Sequence, residues 1–175
     1  MSNNHLLQNN IMKKLFFSLV ENQKWNTLIE LIEEQQLNIN YRDNKDRNAL
    51  YWAIHQSNIK VIEKLLKLGI NKNVTPNLTA LNYAVYRDNI KVIKCLKNNG
   101  FALDETDEIN TTAIIYAVLY NKTHSIDYLF KNGVDIYHEN FLGNSAFNLA
   151  NDLKIDYLIN KFNSKDKNVK QSNNK

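Results

Sequence analysis

Residues 48–69 read NALYWAIHQSNIKVIEKLLKLG, and this stretch predicts two helices joined by a tight turn. Val61 and Leu65 in its second half fall on one face of a helix. Gly69 follows the last apolar residue, where a left-handed residue commonly ends a helix. Asn48 stands where the first helix begins, and its side-chain oxygen is suited to cap that helix. The stretch therefore predicts a helix–turn–helix unit.

The same two-block pattern recurs along the chain with a nearly constant period. Blocks that match residues 48–53 occur at 79–84, 112–117 and 145–150, and their closing alanines are 31, 33 and 33 residues apart. The second block recurs as residues 92–100 and 125–133, each ending in glycine, and residues 158–162 keep its apolar part. Such a period indicates a repeat protein whose units bury their core by stacking on one another.

These blocks resemble the ankyrin repeat, a family with a T-P-L-H-x-A block, a Val/Ile–Leu-Leu block and a Gly-x-Asp-Val-Asn close. The resemblance covers roughly residues 11–162. It departs from the family at the proline, which is Ala in all four copies, and at the histidine, which is Tyr51, Asn82, Ile115 or Asn148. It implies an all-α solenoid of stacked helix–turn–helix units with β-turn fingers, with about three full repeats and degenerate N- and C-terminal caps.

The expected domain organisation follows from the phase of the repeat. We expect disordered tails over residues 1–10 and 163–175. The ankyrin-repeat domain between them, residues 11–162, divides approximately into a cap repeat, three repeats and a C-terminal cap repeat: 11–42, 43–75, 76–106, 107–139 and 140–162. The connection that holds Pro76 is two residues shorter than the two that follow it, which predicts a shortened finger.

Charge and motif content favour an interaction protein. Residues 1–160 contain 17 Lys and Arg against 17 Asp and Glu, so the excess behind the net charge of +4 lies in the last fifteen residues. A neutral body lacks the electrostatic footprint of a nucleic-acid binder. The four histidines are scattered, no zinc or phosphate motif occurs, and Cys95 falls in an apolar helical register. We expect no enzyme, no cofactor, no metal and no nucleic-acid partner; a cryptic enzyme or nucleic-acid binder is the third hypothesis.

Location and source leave a second hypothesis open. No apolar run approaches the roughly 20 residues that cross a bilayer, and no signal peptide is recognisable. We expect a cytoplasmic monomer that does not bind membranes. The abundance of Asn, Lys and Ile indicates an AT-rich coding genome. The chain would then be an effector delivered into a host cell by an intracellular bacterium or a virus, with the Lys/Asn tail as signal, or an inhibitor or immunity protein.

The first hypothesis is a non-enzymatic module that binds a partner protein. The resemblance implies that binding uses the finger tips and the first helix of each pair, on the concave face. The positions carried over one by one are Arg47, Leu78, Ile109, Phe141 and Leu142 in fingers, and His55, Gln56, Tyr86, Arg87, Leu119 and Tyr120 on first helices.

Several of these positions are apolar although the resemblance implies exposure to solvent. We call this set the apolar ridge: Tyr86, Leu119, Tyr120, Phe141 and Leu142. Contiguous exposed apolar surface usually marks an interaction site, and Tyr is enriched at binding hot spots. The alternative is that these side chains pack against a neighbouring finger. A different position of the repeat is occupied by a large apolar or aromatic residue in all four copies, which predicts that it is buried between stacked repeats. Its residues are Trp52, Tyr83, Tyr116 and Leu149.

Overall fold

The computed structural model describes the backbone of residues 2–163 and the side chains from residue 7 onward. Its helices are α1 (Ser2–Glu21), α2 (Trp25–Glu33), α3 (Ala49–His55), α4 (Ile59–Lys67), α5 (Ala80–Tyr86), α6 (Ile90–Asn98), α7 (Ala113–Leu119), α8 (Thr123–Lys131) and α9 (Ala146–Asp152). Residues 156–163 are also helical. The predicted all-α class, built of helix–turn–helix units with fingers between them, is confirmed. The predicted tail over 163–175 lies, after its first residue, outside the described residues.

The predicted short finger is a small antiparallel hairpin. Strands β1 (Asn73–Thr75) and β2 (Leu78–Thr79) pair with each other, and only Pro76 and Asn77 connect them. Neither Pro76 nor Asn77 has a positive φ, so this hairpin does not use the primed turns that two-residue hairpins favour, which a proline in the first position would prevent.

Side-chain caps define where the first helix of most pairs begins. Asn48, Thr79 and Ser145 each accept a hydrogen bond of 3.1 Å from the backbone N–H three residues later. Thr112 occupies the same repeat position, but its buried hydroxyl has no hydrogen-bond partner within residues 7–163. The cap predicted from sequence is therefore present at three of the four positions.

Each full second helix ends as the glycines predict. Gly69, Gly100 and Gly133 have φ of +81°, +84° and +81°. After α4 the Gly69 N–H bonds to the Leu66 carbonyl and the Ile70 N–H to the Leu65 carbonyl, both at 3.1 Å. This pair of bonds satisfies carbonyls that the helix leaves open. The residue after each glycine (Ile70, Phe101 or Val134) is buried.

The chain divides into two compact units. Unit 1 comprises residues up to Ala84 together with Lys91–Phe101, and unit 2 comprises Val85–Ile90 and the described residues from Ala102 onward. In unit 1, α1 packs against α2 and α3, and α4 packs against α2 and α3; in unit 2, α7 packs against α8 and α9. Fully buried side chains form each core: Phe16, Leu28, Leu50, Ile62 and Leu65 in unit 1, and Ile114, Ile115, Ile126, Leu158 and Phe162 in unit 2.

The N-terminal segment differs from the expected tail, because residues 2–10 form the first turns of α1. No glycine or proline interrupts the chain before Glu21, so the helix anchored by the buried Phe16 and Val20 continues backward. Three apolar side chains at a spacing of four lie exposed on this helix: Leu7, Ile11 and Leu15.

Candidate functional site

The apolar ridge lies in unit 2, and all five of its side chains are exposed. Tyr86, Leu119 and Tyr120 are 45% to 50% exposed, while Phe141 and Leu142 reach 75% and 72%. The neighbouring predicted site residue Ile109 is 47% exposed. These fractions are high for large apolar side chains, which a folded chain normally removes from water. Within the ridge, Tyr86 and Tyr120 contact each other.

The helical end of the ridge is a pair of packed tyrosines. Tyr86 ends α5 and Tyr120 follows α7 as its C-cap residue. Their ring centroids are 5.2 Å apart and their planes are perpendicular, an arrangement that aromatic pairs favour. The Lys122 ammonium lies 5.0 Å from the Tyr86 ring centroid, and Tyr116 stacks on Tyr120 at 6.0 Å. The pair is thus held in place by further contacts within unit 2.

A buried asparagine holds the finger-tip end of the ridge. Asn140 is 7% exposed, and its side-chain oxygen accepts hydrogen bonds from the N–H groups of Leu142 and Asn144, each at 3.0 Å. Its side-chain nitrogen donates to the Thr111 hydroxyl at 3.1 Å. Gly143 completes the turn at a φ of +73°. The backbone that carries Phe141 and Leu142 is therefore fixed by hydrogen bonds although their side chains lie in water.

The preceding finger is built around Asp107 in the same way. Its carboxylate accepts hydrogen bonds from the N–H groups of Ile109 at 3.1 Å and Thr111 at 2.9 Å, and from the Tyr116 hydroxyl at 2.9 Å. Partial burial raises the pKa of Tyr116, and the bond to Asp107 raises it further, so this phenol remains a hydrogen-bond donor. The Phe141 N–H donates to the Ile109 carbonyl at 3.1 Å, which joins the two finger tips.

The predicted site residue Arg47 lies in the corresponding finger of unit 1, where it contacts other residues of that finger. Asp43 accepts from the N–H groups of Lys45 and Arg47 and, at 3.3 Å, from the Trp52 indole. The Arg47 guanidinium bonds to Asp43 at 2.7 Å and covers the Trp52 ring at 4.4 Å. Burial raises the pKa of Asp43, but the hydrogen bonds from Arg47 and Lys45 outweigh it and lower the pKa overall. Arg47 stabilises its own finger.

Sequence reasoning missed these finger-supporting residues, Asp43, Asp107 and Asn140. Their signal is local: an Asp or Asn side chain accepts from the second and fourth following N–H groups, as short polar side chains do in turns. In the two aspartate fingers the residue nine positions later, Trp52 or Tyr116, donates to the same carboxylate.

The other predicted site residues of unit 1 also contact their own unit. His55 Nδ1 lies 3.0 Å from the Tyr83 hydroxyl, and Gln56 accepts a 2.9 Å hydrogen bond from the Trp25 indole. Leu78 is half-buried in β2. Arg87 lies in unit 2, directly after Tyr86, and is exposed.

The recurrent position predicted as core divides into two cases. Tyr83 and Leu149 are buried as expected. Trp52 and Tyr116 are only half-buried, because each directs a polar group to the aspartate of its finger.

A groove of about 720 Å³ lies in unit 1 between α1 and the finger over residues 43–47. Leu7, Ile11 and Phe17 supply its apolar lining, and Lys14 and Lys45 are among its charged residues. The sequence-based expectation of a tail over residues 1–10 concealed this surface, although the spacing of Leu7, Ile11 and Leu15 matches one face of a helix.

Ser125, His124 and Asp88 bring together the residue types of a catalytic triad in the wrong arrangement. Asp88 accepts from Ser125 N and Oγ, both at 2.7 Å, and contacts His124 Nδ1 at 2.8 Å. A triad requires the serine hydroxyl to bond to the histidine, whereas here both bond to the carboxylate. Burial raises the pKa of Asp88, but the bonds from Ser125 and His124 lower it more. Asp88 is a cap for α8, whose N-terminal amides favour a carboxylate.

The single cysteine lacks the environment of a nucleophile. Burial raises the pKa of the Cys95 thiol, with a smaller contribution from Glu63, which is the opposite of what a nucleophilic cysteine requires. Across the described residues no three His, Cys, Asp or Glu side chains gather as a metal site would.

No described helix combines the length and apolar character needed to cross a bilayer.

Comparison with known proteins identifies the repeated unit. A family model described as "Ankyrin repeats (3 copies)" matches residues 74–140, and one described as "Ankyrin repeats (many copies)" matches residues 50–96. Together they span residues 50–140, more than half of the chain. A search of curated proteins found no significant match. With the helix pairs, the capping residues and the glycine-terminated second helices described above, these matches show that the chain belongs to the ankyrin-repeat family.

Proposed function

We propose that this chain is a non-catalytic protein-binding module whose docking surface is the apolar ridge of unit 2. Ankyrin repeats are in general protein–protein interaction modules. The observation that carries the proposal for this chain is the exposure of Phe141 and Leu142, at 75% and 72%, on a turn fixed by hydrogen bonds.

The energetics favour a docking surface. Burying one Phe or Leu side chain is worth about 1.5–3 kcal/mol, which folding does not recover at Phe141 and Leu142 because they lie in water. Asn140 and Asp107 order the backbone of both finger tips in advance. A partner that covers these side chains therefore gains the burial energy with little ordering cost.

Two features support a binding role rather than a catalytic one. The serine, histidine and aspartate that lie together in unit 2 form a helix cap, and the lone cysteine is a buried thiol with a raised pKa. The exposed Tyr86, Tyr120 and Phe141 are also aromatic, and Tyr is one of the residue types that dominate binding energy at protein interfaces.

A peptide-display selection on the full chain tests the proposal. Random linear peptides are selected on the wild-type chain, and each enriched clone is then measured on Phe141→Ser/Leu142→Ser. The matched control is Tyr137→Ala, because Tyr137 is 46% exposed in unit 2 but lies outside the ridge. We expect clones that bind the wild-type chain and the Tyr137→Ala control but do not bind Phe141→Ser/Leu142→Ser. Failure to enrich any clone, or equal binding to the double variant, would contradict the proposal.

A further inference from the structure

We infer that the partner segment that covers the apolar ridge carries Lys or Arg beside its apolar anchor residues, and that these basic residues lie at the finger-tip end of the ridge. The inference rests on the proposed function and adds the chemistry of the partner. It comes from the distribution of charge, which the neutral total over residues 1–160 conceals.

Charge is segregated between the two units. Unit 1 contains thirteen Lys and Arg against seven Asp and Glu, whereas the described part of unit 2 contains five against ten. The segregation is sharper in two stretches of unit 2. Residues 102–121 and 132–153 supply the two long fingers and helices α7 and α9, and they contain seven Asp and Glu with no Lys or Arg.

Two of these carboxylates stand in the finger tips beside the ridge. Glu108 directly precedes Ile109, and Glu139 lies two residues before Phe141; both are exposed. The Asn110 side chain donates to the Glu139 backbone carbonyl at 3.0 Å, so the two acidic tips are tied together. Asp107 differs because its carboxylate already accepts three hydrogen bonds within its finger. Glu108 and Glu139 are therefore the carboxylates placed to meet a partner.

The opposite end of the ridge has the opposite sign. Lys122 lies over the Tyr86 ring, and Arg87 follows Tyr86 in the chain. An apolar surface with carboxylates at one end and cations at the other distinguishes the two directions of a bound segment. Complementary charge sets orientation and association rate more than total affinity, and mismatched like charges are penalised. A segment whose basic residues lie at the finger tips meets Glu108 and Glu139 there and keeps its own cations away from Arg87 and Lys122.

The test uses the clones whose binding is lost on Phe141→Ser/Leu142→Ser. We expect these clones to combine Phe, Leu, Tyr or Trp with flanking Lys or Arg. Glu108→Gln/Glu139→Gln should weaken them about three- to tenfold at low salt. Wild-type affinity should fall between about 50 and 300 mM salt, and that fall should be smaller in the variant. The matched control is Glu30→Gln/Glu63→Gln, which removes the same charge from exposed helix positions of unit 1 and should leave affinity unchanged.

The outcomes separate the inference from the function beneath it. Ridge-dependent clones without a basic bias, or with equal affinity for wild type and Glu108→Gln/Glu139→Gln, would overturn the charge inference and leave the docking surface standing. If every clone binds Phe141→Ser/Leu142→Ser as well as it binds wild type, both the charge inference and the proposed docking surface are overturned. A thermal melt of each variant that matches wild type establishes that affinity changes do not come from unfolding.

Discussion

The turn at the finger tip holds the backbone of Phe141 and Leu142 in place. Replacing Asn140 with alanine measures how much the Asn140 side chain stabilises this turn. Asn140→Ala removes three side-chain hydrogen bonds, to the N–H groups of Leu142 and Asn144 and to the Thr111 hydroxyl. It leaves the backbone bond from Asn140 N to the Asn144 carbonyl in place. The perturbation therefore acts on the side-chain support of the turn and leaves its backbone closure intact.

The expected cost follows from the number and burial of these bonds. A hydrogen bond contributes about 0.5–1.5 kcal/mol net, and a buried group left without its partner costs about 1–3 kcal/mol. Asn140 and Thr111 are 7% and 4% exposed, so loss of their bond is not replaced by water. We expect Asn140→Ala to lower the free energy of unfolding by about 2–4 kcal/mol.

The chain supplies its own matched variant, because Asp43 and Asp107 perform the same role in other fingers. Asn140→Asp keeps an oxygen for both N–H groups and should cost less than about 1 kcal/mol. Urea unfolding followed by circular dichroism measures both variants, and hydrogen exchange at the Leu142 and Asn144 amides reports the turn directly. If Asn140→Ala costs no more than Asn140→Asp, or both amides stay protected, the account of the finger tip is refuted.

Three further predictions concern stability. Asn82 is fully buried and neither side-chain polar atom has a partner among the described residues, so Asn82→Leu should raise the melting temperature by several degrees. Asn148→Leu, at the exposed equivalent position, should not change it. Leu65→Ala should cost about 2–5 kcal/mol, and an unchanged circular dichroism melt would remove Leu65 from the core. The pKa of Asp88 is lower in the folded state than in the unfolded state. The Asp88 carboxylate therefore contributes its full stabilisation above the unfolded-state pKa of about 4, and this stabilisation is lost as the pH falls through the folded-state pKa. The difference in unfolding free energy between wild type and Asp88→Asn should therefore shrink as the pH falls below about 4; a difference that does not change in that range would contradict this.

The repeat could be predicted from sequence because its signals are local and recur in phase. Asn48, Val61, Leu65 and Gly69 identify one unit, and the same residue types return about every 33 residues. The exposure of Phe141 and Leu142 was implied by the ankyrin resemblance, which places both residues in a finger. Whether exposed residues bind a partner stays a prediction.

What sequence did not reveal depends on contacts between residues far apart in the chain. Gln56 has the pattern of an exposed first-helix residue, but it accepts a hydrogen bond from Trp25, 31 residues away. Asp88 caps α8 through Ser125, 37 residues later in the chain. Asparagine is common in turns, and only its burial distinguishes Asn140.

The charge of the ridge was missed for a different reason. A net charge sums over the whole chain, so the basic excess of unit 1 cancels the acidic excess of unit 2. The sequence already places no Lys or Arg in the two long fingers, but the acidic excess around them appears only when the two units are counted separately.

The docking role of the apolar ridge is measured by the affinity of a ridge-dependent peptide for Tyr86→Ala/Tyr120→Ala. Fluorescence anisotropy with a labelled peptide gives the affinity of wild type, of this double variant and of the Tyr137→Ala control, and a thermal melt of each chain runs in parallel. We expect the double variant to lose about 2 kcal/mol or more of binding free energy, roughly thirtyfold in affinity, with only a small drop in melting temperature from the lost ring contacts. Equal affinity would contradict this expectation, and so would a melt that shows the variant unfolded at the temperature of the binding assay, since the tyrosines would then be part of the core.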